Sequence, residues 1–317
     1  SELPKGVGSL TVLTYLDMSN NQLTTLPEEL MGCVKLEHLG LRHNLITEVG
    51  DWISQLSALT LLNLTGNVIP ALPFTIANLS KLKDLKVSKQ DVQLPPPDVL
   101  NSGLGPMQEY LRRLNDSKRL KKADLDGIPM QSFSCHESFA RFGLTSLSLR
   151  MCSMEVVSSN ISLLVGLLLL DLSDNKLTVL PTTIAELTCL QELIIDRNML
   201  GGLDASIGAC TALKTLSLTD NLVSVLPSSL GHCTKITSLK VSGNPVHSPP
   251  DVLIRKRPLP WLLRYLRARH ASLESQVLSL ISMGLSDIPQ DVLGMTEGVS
   301  KLLLNCNDLR DLPDRIG

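Results

Sequence analysis

Apolar segments recur along this chain every 23 residues, beginning at Leu13, Leu36, Leu59 and Leu82 and again at Leu144, Leu167, Leu190, Leu213 and Ile236. A fixed period of this length means that one small supersecondary unit is repeated. One unit reads LQELIIDRNMLGGLDASIGACTA and the next LKTLSLTDNLVSVLPSSLGHCTK. No single unit can bury its own leucines, so the chain must stack its units to fold. Chance produces isolated matches to such a unit, but not nine in fixed register.

Each position in the unit has a physical role. Residues 1, 4 and 6 are apolar and point inward, with 4 and 6 alternating as on a β-strand; stacked strands run parallel, about 4.8 Å apart. Position 9 is Asn21, Asn44, Asn67, Asn175, Asn198, Asn221, Asn244 or Asn307. A buried amide there can bond the backbones of neighbouring turns and form a ladder. Cys152 takes that place in the Leu144 unit. Position 15 is Pro27, Pro73, Pro181, Pro227 or Pro313, which stops the strand and opens an outer segment. Ile76, Ile184 and Leu230 then pin that segment onto the core.

The pattern LxxLxLxxNxLxxLPxxI resembles the leucine-rich-repeat consensus in its 23-residue form. The expected fold is α/β: a curved leucine-rich-repeat horseshoe with a parallel β-sheet on the concave face and short helices and irregular segments on the convex face.

A second, longer period overlies the first. PPDVLNSGLGPMQEYLRRL from Pro96 resembles PPDVLIRKRPLPWLLRYLRAR from Pro249, and each is followed by a degenerate unit ending in Ile-Pro, at Ile128–Pro129 and Ile288–Pro289. In each stretch a proline (Pro106, Pro260) suits a helix's first turn. Met107, Tyr110, Leu111 and Leu114, and likewise Trp261, Leu262, Tyr265 and Leu266, fall on one helical face. The chain therefore reads as residues 1–100, a first array; 101–143, a helix insert with a degenerate repeat; 144–254, a second array; 255–298, a second insert and degenerate repeat; and 299–317, the start of a third. The span from Asn115 to Gly143 has poor strand character and is expected to be irregular, anchored by its phenylalanines. Neither end carries a cap, so the expectation is a fragment of a longer array.

The regular units also resemble the intracellular repeats of the plant Ras-group and Ras-suppressor kind. Gly243 to Arg267, GNPVHSPPDVLIRKRPLPWLLRYLR, resembles the close of such arrays in Roco-type proteins, where a GTPase follows. Here another repeat follows, and the sequence holds no GxxxxGK[ST] phosphate loop. That resemblance implies a cytoplasmic scaffold, or the regulatory array of a larger signalling enzyme such as a Roco-type GTPase.

Seven scattered cysteines show neither disulfide nor zinc spacing, which favours a reducing compartment. Cys33, Cys210 and Cys233 stand where other units have Leu56, Leu79 and Leu187, and so read as small buried hydrophobes. Four Asn-x-Ser/Thr triplets, at Asn63, Asn78, Asn115 and Asn160, point weakly the other way. The longest apolar run, Leu163 to Leu170, is far short of the roughly 20 residues that span a bilayer. A net charge of −2 gives no overall attraction to nucleic acid, and no cofactor or metal site is expected. Two basic stretches remain: Arg112, Arg113, Lys118, Arg119, Lys121 and Lys122, then Arg255, Lys256, Arg257, Arg264, Arg267 and Arg269. They read as solvated helix faces whose stems cover apolar surface.

No catalytic motif emerges. His38, His43 and Asp17 cluster around neighbouring strands and Cys135 adjoins His136, but spacing places no nucleophile beside a base. The expected function is a non-catalytic scaffold that binds partner protein through the concave face. Residues projecting there include Tyr15, Asp17, His38, Arg42, His43, Lys86 and Lys89 in the first array, a mostly basic strip. In the second they include Asp171, Asp174, Glu192, Asp196 and Asp220, offset only by Arg197. Strips of opposite sign could read a bipolar partner or support self-association.

Overall fold

A regular 23-residue unit folds into one coil: a three-residue strand, a turn closed by asparagine, and a short 3-10 helix. The computed structural model describes residues 3–255, 257–293 and 298–310, the side chains of residues 138, 139 and 251 excepted. Lys256 and Pro313, singled out above, lie outside the described residues. The chain divides into two compact units, Ser1–Leu144 and Thr145–Gly317.

In the first unit, β1 (Tyr15–Asp17), β2 (His38–Gly40), β3 (Leu61–Asn63) and β4 (Asp84–Lys86) form a parallel sheet in chain order. Tyr15 pairs with His38, His38 with Leu61 and Leu61 with Asp84, so each residue meets its equivalent 23 positions on. Leu39 and Leu62, at the centres of β2 and β3, are fully buried while the flanking side chains face out. The outer turns Glu28–Gly32, Asp51–Gln55 and Phe74–Asn78 are 3-10 helices. Pro27 and Pro73 precede two of them, at φ −71° and −65°, the value the pyrrolidine ring imposes. Leu30, Ile53 and Ile76 fix each turn to the core.

The first insert then leaves the sheet. It comprises α1 (Pro97–Asn101) and α2 (Leu104–Leu120), followed by β5 (Lys122–Asp124), β6 (Ser132–Phe133) and α3 (Glu137–Ala140). The span expected to be irregular thus holds regular elements. Met107, Tyr110, Leu111 and Leu114 are buried as the helical spacing predicts. They pack against the last 3-10 turn, where Gln108 Nε2 donates to Leu79 O at 3.2 Å. Phe133 is fully buried, and Phe142 meets Phe74 edge-on at 5.3 Å.

The second unit repeats this plan. The strands β7 (Ser146–Ser148), β9 (Leu169–Asp171), β10 (Glu192–Ile194), β11 (Thr215–Ser217) and β12 (Ser238–Lys240) pair in parallel at the same 23-residue offset. Between the first two comes β8 (Val156–Val157). The insert α4 (Asp251–Arg255) and α5 (Leu259–Ser275) packs on the turn Ser228–His232. It leads into β13 (Val277–Ser279), α6 (Gln290–Leu293) and β14 (Lys301–Leu303). On α5 the buried apolar and aromatic set is Leu262, Leu263, Tyr265 and Leu266. Trp261, expected in that set, is only half-buried and stacks under the Arg257 guanidinium at 5.3 Å. Leu263 takes its place because the helix meets two surfaces, the 3-10 turn and β13.

The asparagines form the ladder that their spacing implies. Asn198 Nδ2 donates to Leu172 O (3.0 Å) one coil back and to Ile195 O (3.1 Å) in its own coil, while its Oδ1 accepts from Leu177 N (3.0 Å). Asn67 and Asn221 repeat this geometry. Asn21 is exposed and bonds only within its own turn, to Met18 O and Ser19 O. The residue before each asparagine is left-handed: φ is +52° at His43, +58° at Asp174, +53° at Arg197 and +55° at Asp220. Glycine holds this position at Gly66 and Gly243, where a Cβ would stand 2.3 Å from His43 Nδ1 and 2.0 Å from Asp220 Oδ1.

The buried cysteines are more than hydrophobes. Cys210 Sγ donates to Ile184 O (3.4 Å), Cys233 Sγ to Ile207 O (3.5 Å) and Cys33 Sγ to Val7 O (3.3 Å), in each case one coil back. A leucine at the same position supplies bulk but no donor.

Candidate functional site

Side chains at positions 3 and 5 of each strand project from the outer face of the sheet, and the turn residues at 7 and 8 extend that face. In the first unit Tyr15 and His38 stack face to face across β1 and β2, with centroids 4.4 Å apart and planes 23° apart. Tyr15 keeps 57% of its surface exposed. Asp17 accepts from Ser19 N at 2.9 Å; hydrogen bonds from Ser19, with a smaller attraction from His38, hold its carboxyl below the usual range. Gly40 lies opposite Asp17, and a Cβ there would sit 2.6 Å from Asp17 Oδ1. The structure therefore brings Tyr15, Asp17 and His38 together as one aromatic and acidic group. Arg42 and His43 are exposed beside it. Lys86 and Lys89 lie at the far edge, Lys86 paired with Asp84 (3.3 Å) and Lys89 donating to Asn101 Oδ1 (2.8 Å).

In the second unit the acidic strip is more tightly knit than its sequence implies. Asp174 binds Arg197 through both oxygens, one contact at 2.7 Å, and Arg150 reaches Asp174 at 3.6 Å and Asp171 at 3.8 Å. Arg197 is thus not the sole offset. Arg150 was missed because its unit has Met151–Cys152 where the asparagine signature should be. Asp171 also accepts from Ser173 N (2.9 Å) and Ser173 Oγ (2.6 Å). Asp196 accepts from Ser217 Oγ (2.6 Å) and Thr219 N (2.8 Å). These carboxylates order the loops. Glu192 and Asp220 are the exposed acids of the strip.

Hydrogen bonding from Arg197, then its charge and that of Arg150, hold the Asp174 carboxyl below its usual value despite some burial. The folded pKa is lower than the unfolded one, so this pair's stabilisation is complete above the unfolded carboxylate value, near pH 4. It is lost as pH falls through the folded value. Wild type should exceed Asp174→Asn in urea midpoint at pH 7, with the gap closing as pH is lowered below 4. A gap that stays constant with pH would show that the pair does not titrate as described.

The basic stretches are mostly committed to structure. Arg113 donates to Asp126 O (2.9 Å) and pairs with Glu109 (2.8 Å), and Lys118 lies 4.7 Å over the Phe74 ring. Arg264 donates to Ile281 O (2.8 Å) and Arg267 to Gly231 O (3.2 Å). Arg269 binds Ser248 and Asp291, each at 2.7 Å. Cys135 is pushed up to about 12 by burial, so its thiol stays protonated beside His136. Sequence reading missed the meeting of His232 and His270, edge-on at 4.5 Å, with Ser228 Oγ 3.3 Å from His270 Nδ1. No spacing signal links residues on a 3-10 turn and an insert helix. Among the described residues no cluster of three His, Cys, Asp or Glu could hold a metal ion, and no helix is long and apolar enough to cross a membrane.

Residues 2–46 match the family described as leucine rich repeat. Beyond them the coils that begin at Leu59, Leu167, Leu190 and Leu213 keep the same strand, asparagine and outer turn, at the same register. Each unit has the α/β leucine-rich-repeat fold, coils stacked through a parallel sheet. Among solved structures, this chain is similar to an LRR protein of Leptospira interrogans, at 28% identity and a TM-score of 0.43, over 80% of this chain and 61% of that one. It is also similar to the LRR ectodomain of the plant receptor kinase GASSHO1/SCHENGEN3 from Arabidopsis thaliana, at 19% identity and a TM-score of 0.38, over 99% of this chain and 41% of that one. An internalin from Listeria monocytogenes matches at 16% identity and a TM-score of 0.37, over 99% of this chain and 86% of its own. The chain thus spans less than two thirds of the first two structures. No curated protein matches it.

Proposed function

We propose that this chain is a non-catalytic scaffold that binds partner protein through the exposed face of its sheets. The observation that carries this reading is the Tyr15–His38 stack, a large aromatic surface exposed on the sheet and flanked by Asp17, Arg42 and His43. Rigid, exposed aromatics beside arginine are the kind of group that anchors protein interfaces. In the second unit Glu192 and Asp220 offer the opposite sign, which suits a different patch of partner surface or a second copy of the chain.

The test is quantitative affinity capture with wild type beside Tyr15→Ala and Glu192→Lys. Loss of the same captured protein by tenfold or more with either variant supports the sheet face, since an interfacial anchor typically contributes about 2 kcal/mol or more. Equal recovery by all three proteins removes the face as the site.

A second reading rests on Gly243 to Arg267, whose Asn-Pro and Tyr-Leu-Arg elements resemble the close of Roco-type arrays. There the chain would be the regulatory array of a signalling GTPase. The gene sequence beyond residue 317 tests it: a phosphate-loop motif supports this reading, and its absence from the full-length product removes it. A cytoplasmic setting belongs to both readings, supported by cysteines that form no disulfide among the described residues, with Cys189 and Cys306 exposed.

A further inference from the structure

We propose that the free edges of β4 and β12 each accept an extended, acidic segment of a partner protein as an added β-strand. This site is the backbone edge of each sheet, bordering the sheet face at Lys89 and Lys240. In each unit the insert interrupts the sheet: among the described residues no strand pairs with the far side of β4, and β12 is followed in the chain by β13, which pairs with β14 instead. Asp84 N donates to Thr60 O and Lys86 O accepts from Leu64 N, so the backbones of Asp84 and Lys86 face β3. By alternation the N–H and C=O of Leu85 point outward, as does Val87 N–H. The equivalent outward groups on β12 belong to Leu239 and Val241, since Ser238 N and Lys240 O are engaged with β11. In every interior strand such groups bond the next coil. An open edge of this kind is a template for another chain.

Space is present beside both edges. A cavity of about 300 Å³ lies between β4 and the insert, walled by Leu85, Val87, Leu100, Leu104 and Met107. Cavities of about 380 and 270 Å³ lie along β12, walled by Leu239, Val241, Ile254, Leu259 and Leu262. The two walls correspond residue for residue, 154 or 155 positions apart, so the chain carries the same slot twice. Backbone on one side and apolar side chains on the other suit a strand whose alternate residues are apolar. The charge is positive in both. Lys83 and Lys89 line the first with Asp84, which Lys86 already neutralises at 3.3 Å. Lys240, exposed between Leu239 and Val241 on the β12 edge, lines the second.

The experiment titrates the full chain with fluorescent acetyl-Glu-Val-Glu-Val-Glu-Val-amide, read by anisotropy and by amide hydrogen exchange. Saturable binding is expected, with exchange slowed at least tenfold at Leu85, Val87, Leu239 and Val241 and unchanged at the interior Leu216. A peptide N-methylated at alternate residues, or with lysine for glutamate, should bind at least tenfold more weakly. Lys240→Glu should abolish protection at Leu239 and Val241 yet leave that at Leu85 and Val87, which also reports that the variant is folded. Glu192→Lys, the sheet-face variant, should bind the peptide as wild type does. No saturable binding up to millimolar peptide, equal binding of the N-methylated form, or protection on the sheet face would each overturn the proposal. Concentration-dependent protection without peptide would assign the edges to a second copy of the chain instead.

Discussion

Replacing Asn175 with alanine is expected to lower stability by about 3 kcal/mol, since each buried polar group left without a partner costs about 1–3 kcal/mol. Asn175 Oδ1 accepts from both Cys152 N and Met154 N at 3.0 Å, and Nδ2 donates to Leu149 O at 2.8 Å and Leu172 O at 2.9 Å. The residue is 8% exposed, so water does not readily replace its side chain. Aspartate at this position keeps the acceptor but turns a negative oxygen toward two carbonyls, and should recover less than half of the loss. Urea midpoints of wild type, Asn175→Ala and Asn175→Asp give the comparison. If alanine costs under about 1 kcal/mol, the value of a single ordinary hydrogen bond, the ladder does not hold the coils together.

The second large effect is expected at Asp291. Its carboxylate accepts from Tyr265 Oη (2.8 Å), Ser248 Oγ (2.8 Å) and Arg269 Nη1 (2.7 Å). Burial, together with the charge and hydrogen bond of Asp291, pushes the Tyr265 hydroxyl up, so it remains a donor. Asp291→Ala strands the Arg269 guanidinium, whose side chain is 19% exposed, and should cost about 3 kcal/mol, the low end for a broken buried pair. Removing both charges in Arg269→Met/Asp291→Leu should cost far less than Asp291→Ala alone, because no unpaired charge remains. A double variant as unstable as the single would show that packing, and not the charge, governs this corner.

The coil was legible in the sequence because its determinants are local and repeated. Leucine at 4 and 6 and asparagine at 9 set strand and turn together, and the observed offset from Tyr15 to His38 to Leu61 to Asp84 is the period itself. The inserts were legible as helices but not in detail. Periodicity finds one buried face, while α5 contacts both a 3-10 turn and β13, so Leu263 is buried and Trp261 is displaced. The candidate surface was legible as positions and not as interactions. Asp17, Asp171 and Asp196 occupy the expected face, yet each spends its oxygens on a nearby backbone amide, a geometry invisible to spacing. Arg150 was hidden because its own coil departs from the consensus, and the unpaired edges were hidden because they arise where the repeat is interrupted.

The thiols at the ends of the outer turns have a use beyond packing. Burial raises Cys210 and Cys233 to about 11 and Cys33 above its usual value, so all three keep their proton at neutral pH. Each S–H points at a carbonyl belonging to the preceding coil, and its stretching vibration falls where the rest of a protein is spectrally silent. Its frequency rises as that contact lengthens. The chain therefore carries label-free strain gauges at three of its coil junctions, which can report which junction parts first when the stack is stretched or mildly denatured.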